Sequence, residues 1–104
     1  MAQFMIGYFG GNPPASKEEG MAHMEAWKAW VQGLGDKVVN PGTPLPQSKI
    51  VTAETVKDDT TGTGMNGFAV IKVDTLDEAV EIAKSDPFLK MGGEIRVSQM
   101  MEMS

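Results

Sequence analysis

Apolar residues fill the segment from Phe4 to Phe9 almost without interruption, and the glycine and proline run 10–14 follows directly. This pattern predicts a short β-strand that ends in a turn. Ser16 and Glu19 then have capping-box spacing, in which the serine hydroxyl and the glutamate carboxylate satisfy free backbone N–H groups. A helix is therefore predicted to begin here.

Helical periodicity follows the capping box. Apolar residues recur at three- and four-residue steps, which places them on one face of a helix. They are Met21, Met24, Trp27, Trp30, Val31 and Leu34. His23 projects close to Trp30 and Leu34 on the helical wheel, so its ring is expected to point toward a sheet and not toward bulk water.

Two further strands are predicted in the middle of the chain. The stretch 40–46 contains three prolines and is predicted to be a loop, because proline interrupts both helices and central strands. β-branched residues are frequent from Lys49 to Val56 and predict the second strand. A polar turn follows at 57–64, and the apolar segment 68–73 predicts the third strand.

The C-terminal part repeats the helix and strand pattern. Thr75 and Glu78 have capping-box spacing and open a second helix with an apolar side, which Pro87 ends. Alternating residues at 94–98 then predict a final strand with one wetter face. The whole chain, residues 1–104, is predicted to be a single domain.

The predicted order is strand, helix, strand, strand, helix, strand, which is an α+β ferredoxin-like βαββαβ arrangement with an antiparallel sheet. Two helices cover only one face of such a sheet. The first and third strands are nevertheless apolar at nearly every position, which indicates burial on both faces. A homodimer that packs through the open sheet face accounts for this pattern, with a monomer as the alternative.

Composition excludes several kinds of function. The formal net charge is -5, and the nine Lys and Arg residues form no basic cluster, which argues against nucleic-acid binding. Cysteine is absent, which removes disulfides, thiolate nucleophiles and soft metal sites. No metal and no cofactor are expected. No apolar run approaches the roughly 20 residues of a membrane-spanning helix, and no signal peptide is recognisable, so a cytoplasmic location without membrane contact is expected.

His23 and Asp86 are the candidate chemical pair. His23 is the one histidine of the chain, and histidine is the side chain that ordinarily exchanges a proton near neutral pH. Asp86 is expected just past the second helix, where the helix dipole disfavours an anion by roughly 0.3–1 kcal/mol. Its charge is therefore expected to have a cationic partner, for which His23, Lys84, Lys90 and Arg96 are the candidates.

Each candidate also has a purely structural interpretation. His23 is equally typical of a core histidine bonded to a backbone carbonyl, and Asp86 of a turn residue that accepts from its own backbone. Trp27 and Trp30 fit core or cavity wall better than ligand stacking, and Tyr8 fits an ordinary strand aromatic. The residue pattern alone leaves these alternatives open.

Four segments together resemble the YciI-like (YCII-related) family of small proteins, a branch of the dimeric α/β-barrel superfamily. They are Tyr8 before its glycine turn, Met21–Met24 followed by Trp27, Val73–Ala79, and Ser85–Phe88 before Gly92–Val97. The resemblance extends along almost the whole chain. It departs at residues 58–68, where the Asp-Gly-Pro-Phe motif of some relatives is absent, so no role of that motif is carried over.

The resemblance implies a histidine and aspartate active site in a cleft of each subunit, at His23 and Asp86. The implied function is a cofactor-free enzyme that moves protons on a small organic compound by elimination, isomerisation or dehalogenation. Tyr8 is expected to polarise the compound, and three aromatic residues are expected to bind it. They are Trp27, Trp30 and Phe88. The alternatives are a non-catalytic ligand-binding or accessory dimeric module, and a purely structural dimer.

Overall fold

A computed structural model describes residues 1–102 of the chain. Its six strands, in chain order, are β1 (Ala2–Gly10), β2 (Val38–Pro44), β3 (Lys49–Val51), β4 (Val56–Asp58), β5 (Met65–Val73) and β6 (Gly93–Met100). Its two α-helices are α1 (Lys17–Leu34) and α2 (Leu76–Lys84). Short 3₁₀ helices lie at Gly35–Lys37 and Pro87–Met91.

The main sheet has four antiparallel strands in the spatial order β2-β5-β1-β6. The strands β1 and β5 are its centre, paired from Ala2 opposite Val73 to Gly7 opposite Phe68. With the β3–β4 hairpin set aside, the chain order is βαββαβ. The predicted ferredoxin-like α+β fold is confirmed.

Both predicted helix starts are confirmed by their caps. The Ser16 hydroxyl accepts a hydrogen bond from the Glu19 backbone N–H at 3.1 Å, and the Glu19 carboxylate accepts from the Ala15 N–H at 3.3 Å. At α2, the Thr75 hydroxyl accepts from the Glu78 N–H at 3.2 Å. These bonds satisfy N–H groups that the helix itself leaves unpaired, so short sequence motifs determine where both helices begin.

The loop predicted at 40–46 is wrong, because residues 38–44 form β2 at one edge of the sheet. Proline is tolerated in an edge strand, where the missing N–H faces away from the neighbouring strand. The pairing of β2 with β5 shifts register twice, between Val38 and Asn40 and between Asn40 and Thr43. This irregular edge accommodates Pro41 and the glycine that follows it.

The second sheet strand predicted at Lys49–Val56 is also wrong. Its residues belong to the hairpin β3–β4, a separate two-stranded sheet in which Val51 pairs with Val56. These two valines are 71% and 64% exposed, so the hairpin adds nothing to the main core. β-branched composition favours extended backbone, but it does not specify which strand becomes the neighbour.

The core lies between one face of the main sheet and the two helices. Alternate residues of β1 and β5 point into it, together with Ala79 from α2. The strand residues are Phe4, Ile6, Ala69, Ile71 and Val73. No residue of α1 is fully buried, and α1 contributes half-buried Trp30 and Leu34 to the edge of the core.

In the described part of the chain, residues 1–102, no helix covers the opposite face of the sheet. Met5 lies opposite Val70 there, and Phe9 and Met65 enclose the position of Gly7. The guanidinium of Arg96 stacks over the Phe9 ring at 4.3 Å, which is cation–π geometry. A mainly apolar row with a charged border therefore stands on this face.

Within residues 1–102, neither helix combines the length and the apolar character that crossing a membrane requires.

Replacing one core residue and one hairpin residue separates the two regions. Ile6 is fully buried, so Ile6→Ala is expected to lower the free energy of unfolding by about 2–5 kcal/mol. Val51 is 71% exposed, so Val51→Ala is expected to change it by less than about 0.5 kcal/mol. Urea unfolding followed by circular dichroism measures both, and a large loss in Val51→Ala would contradict the placement of the hairpin.

Candidate functional site

A cavity of about 460 Å³ opens at the end of the main sheet where β1 and β2 end and β5 begins. The middle of α1 and the segment after α2 complete its wall. Its polar side chains are Tyr8, His23, Thr43, Asn66 and Asp86. Its apolar side chains are Met24, Trp27, Pro44, Phe68 and Phe88. The volume lies within the range of about 300–1,000 Å³ that small-molecule pockets occupy.

Asp86 is the buried ionisable group of this cavity, with 3% of its surface exposed. Its Oδ2 accepts a hydrogen bond from the Tyr8 hydroxyl at 2.6 Å, and its Oδ1 accepts from the Phe88 backbone N–H at 2.9 Å. The second bond is the aspartate turn that the sequence left as an alternative, and it caps the 3₁₀ helix Pro87–Met91. Asp86 thus combines a local capping bond with a bond to β1.

Burial raises the pKa of both partners of this bond, whereas the bond itself lowers the pKa of Asp86 and raises that of Tyr8. Burial raises the pKa of Asp86, while the bonds from Tyr8 and the Phe88 N–H and the attraction of His23 lower that pKa. Burial, the bond to Asp86 and the charge of Asp86 all raise the pKa of Tyr8 above its ordinary range. Tyr8 therefore stays a phenol at neutral pH, and its one hydroxyl hydrogen is directed at Asp86.

His23 lines the cavity from α1 and is half-buried. It is near enough to Asp86 for its charge to lower the pKa of that carboxyl group. Within residues 1–102, however, Asp86 takes its hydrogen bonds from Tyr8 and Phe88, and none joins it to His23. The three candidate catalytic residues therefore lie together at the cavity. Of the other two, Tyr8 is the one that contacts the Asp86 carboxylate directly.

Two of the three aromatic residues expected at a ligand line the cavity, namely Trp27 and Phe88. The Phe88 ring packs edge-on against Tyr8, with 4.9 Å between ring centroids. Trp30 lies outside the lining and donates from Nε1 to the Ser85 hydroxyl at 2.9 Å. Trp30 is three residues after Trp27 and lies about 4.5 Å further along the helix axis, toward the end of α2.

The sequence patterns missed the part of the wall that β2 and β5 supply. Thr43 and Pro44 lie in the stretch predicted as a loop. Asn66 lies between the predicted turn at 57–64 and the predicted strand at 68–73, and its side chain donates to the Gly10 carbonyl at 2.7 Å. Gly93 was missed as well: a Cβ at this position would overlap the Phe88 ring. The paired glycines at 92 and 93 were the available signal.

No group of three or more His, Cys, Asp or Glu side chains within the described part of the chain is arranged to hold a metal ion. The ionisable side chains that line the cavity are Tyr8, His23 and Asp86. The arrangement offers one imidazole, one carboxyl group and one phenol beside a largely apolar surface.

Comparisons with known proteins identify the family and the fold. The family model described as the YCII-related domain matches residues 11–104. Among solved structures, the chain is similar to 5-chloro-2-hydroxyhydroquinone dehydrochlorinase from Burkholderia phenoliruptrix AC1100 in complex with 2,5-dihydroxybenzoquinone, with a TM-score of 0.59 and 20% identity over 97% of this chain and 95% of that chain. This likeness supports the fold.

A protein from Arabidopsis thaliana is similar at a TM-score of 0.45 and 9% identity, over 100% of this chain and 97% of that chain. None of the curated proteins matches the chain significantly.

The Tyr8 bond can be tested by titrating Asp86. Tyr8→Phe keeps the ring and removes the donor that lowers the pKa of Asp86, so that pKa is expected to rise further. Carboxyl ¹³C chemical shifts followed against pH measure it. Asp59, whose pKa is lowered by Thr61, is the internal control and is expected to titrate as before. An unchanged or lower pKa of Asp86 would contradict the bond.

The same variant has a stability consequence of defined sign. Because the folded-state pKa of Asp86 is raised, the folded protein keeps this proton at a pH where the unfolded chain loses it. The contribution of Asp86 to stability is thus full below its unfolded pKa and falls as the pH rises through the folded pKa. The deficit of Tyr8→Phe relative to the wild type is expected to grow over that rise in pH.

Proposed function

The chain belongs to the YCII-related family, and we propose that it is an enzyme acting on a small organic compound bound in the cavity beside α1. The observation that carries the proposal is the convergence of His23, Asp86 and Tyr8 at this cavity. A group able to exchange protons, held beside a buried carboxyl group in a cleft, is typical of acid/base sites.

The substrate class follows from the lining. Among residues 1–102, no lysine or arginine side chain lines the cavity, so this wall offers no fixed cation for a phosphate or a carboxylate. Aromatic and aliphatic surface from Trp27, Phe68 and Phe88 favours a compact and largely apolar compound with few polar groups. The Burkholderia protein of the same fold is a dehydrochlorinase, which supports this class at the level of the shared fold.

His23 is the proposed general acid or base. An imidazole nitrogen on the cavity wall takes a proton from the substrate, and the nearby charge of Asp86 stabilises the imidazolium that forms. In an elimination, including the loss of a halide with a neighbouring proton, the electrons of the broken C–H bond form the new double bond. The bond between carbon and the leaving group breaks, and the leaving group departs with that electron pair. Isomerisation returns the proton at another carbon instead. None of these steps requires a cofactor.

Tyr8 has a more limited role than direct polarisation. A hydroxyl group has one hydrogen to donate, and that of Tyr8 is directed at Asp86 Oδ2. Its oxygen lone pairs remain able to accept a hydrogen bond from a substrate hydroxyl. We therefore assign to Tyr8 the orientation of a hydroxylated substrate, and to Asp86 the stabilisation of positive charge on His23.

A non-catalytic binding module is the second candidate. It is favoured by the absence, among residues 1–102, of a hydrogen bond between His23 and Asp86, since both carboxylate oxygens are engaged by Tyr8 and Phe88. In that case the cavity holds a compound and His23 contributes only polar contact. Ligands that raise the melting temperature but are not converted would favour this function.

We also propose that two copies pair through the sheet face that carries no helix. Met5, Phe9 and Met65 are half-buried on this face beside the buried Val70, and a two-fold pairing of the same surface would remove their remaining exposed surface from water. The arrangement covers the apolar face of β1 and β5 without requiring another protein.

Turnover of a substrate panel tests the catalytic proposal. The panel contains hydroxylated and halogenated aromatic compounds and small carbonyl compounds, and its products are followed by absorbance and mass spectrometry. His23→Gln is expected to lose about two to four powers of ten in rate, because the proton-transfer group is absent. Glu25→Gln, at an exposed position on α1, is the matched control and is expected to retain the rate. Equal turnover by both variants would place the catalysis elsewhere.

Sedimentation velocity tests the pairing of the two copies. The wild type is expected to sediment with twice the 11.2 kDa mass of the chain. Met5→Lys places a charge in the centre of the proposed interface and is expected to give monomers, whereas Ala29→Lys, at an exposed position on α1, is expected to remain dimeric. A wild-type monomer at micromolar concentration would refute the pairing.

A further inference from the structure

One side-chain hydrogen bond connects the helix that carries His23 with the segment that carries Asp86. The indole N–H of Trp30 donates to the Ser85 hydroxyl oxygen at 2.9 Å. Ser85 directs its own hydrogen to the Ile82 carbonyl at 2.8 Å, so an oxygen lone pair is left for Trp30. Ser85 immediately precedes Asp86, and Trp30 lies two turns after His23 on α1.

We propose that the Trp30–Ser85 hydrogen bond is a positioning contact that sets how closely His23 approaches Asp86 across the cavity. The proposal rests on the proposed function, since it concerns the two groups to which the acid/base step is assigned. Neither Trp30 nor Ser85 lines the cavity, so both act through the residues that do.

Helix α1 depends on this contact more than α2 does. No residue of α1 is fully buried, whereas α2 buries Ala79 and Ala83 against the sheet. Within residues 1–102, the other side-chain hydrogen bonds and ion pairs of α1 stay inside the helix or at its N-terminal cap. The Trp30 bond is thus the directional link that resists rotation or sliding of α1 relative to the end of α2.

The geometry of a helix carries this restraint to His23. Residues seven apart lie on nearly the same face of an α-helix, about 10 Å apart along its axis. Because the helix is stiff over two turns, fixing the Trp30 ring at Ser85 also fixes the direction in which His23 projects. Asp86 is held independently, by Tyr8 and by its own turn. The Trp30 contact therefore determines the position of His23 and not that of Asp86.

The influence of His23 on Asp86 gives a readout that requires no substrate. The charge of His23 lowers the pKa of Asp86, so His23→Gln is expected to raise that pKa in the wild-type background. Trp30→Phe keeps an aromatic ring but removes the N–H together with the pyrrole half of the indole. Ser85→Ala removes the acceptor at an exposed position without opening a core cavity. In either background the upward shift caused by His23→Gln is expected to become smaller.

The experiment is a double-mutant cycle followed by carboxyl ¹³C NMR. Trp30→Phe and Ser85→Ala are each expected to reduce the shift, and the double variant to reduce it no further than the larger of the two, because both remove the Trp30–Ser85 bond. Ser85→Ala also removes the bond from Ser85 to the Ile82 carbonyl, which does not involve α1. Ser48→Ala, an exposed serine away from the His23 helix, is the matched control and is expected to leave the shift unchanged. Amide spectra verify the fold of each variant.

The outcome that overturns the proposal is a folded Trp30→Phe or Ser85→Ala protein in which His23→Gln shifts the pKa of Asp86 as much as in the wild type. A lowered melting temperature with an undiminished shift assigns the bond to stability alone and equally overturns the proposal. Failure of the enzyme proposal gives a different result, namely no loss of turnover in His23→Gln, and it leaves this pKa measurement intact.

Discussion

The buried carboxyl group of Asp86 is the constraint on which the arrangement of the site depends. A carboxyl group with 3% exposure is costly unless its oxygens have donors, and losing one such donor typically costs about 1–3 kcal/mol. Tyr8 and the Phe88 N–H supply the two donors. The end of β1 and the segment after α2 are therefore held together by the hydrogen bonds of a buried carboxyl group as well as by apolar packing.

This requirement explains several neighbouring features. The aspartate turn brings Phe88 beside Tyr8, and the Phe88 ring then occupies the space above Gly93 where a side chain would not fit. The strand β6 starts directly under that ring. The hydrogen bonds of Asp86 thus determine this part of the cavity wall. His23 lines the same cavity from a different element, α1.

The two faces of the sheet differ in a way that bears on assembly. Both helices lie on one face, where alternate residues of β1 and β5 make the core. The other alternate set stands on a face without a helix, bordered by Arg96 and Glu94. The asymmetry arises because residues 1–102 form only two α-helices for a four-stranded sheet, and it is the physical reason for the proposed pairing of two copies.

Local patterns determined a large part of this protein from the sequence alone. Both helix starts and the central strands follow from caps and periodicity, which depend on residues within about four positions of one another. The choice of His23, Asp86 and Tyr8 came from the family resemblance combined with the chemistry of these side chains.

Tertiary structure decided the rest. The strand β2, and not the hairpin, became the edge strand of the main sheet, and Trp30 bonds to Ser85 instead of lining the cavity. Tyr8 and Asp86 are 78 residues apart in the sequence, so their hydrogen bond forms only when the sheet and the helices have packed. No local pattern specifies which distant group will donate a hydrogen bond to a buried acid.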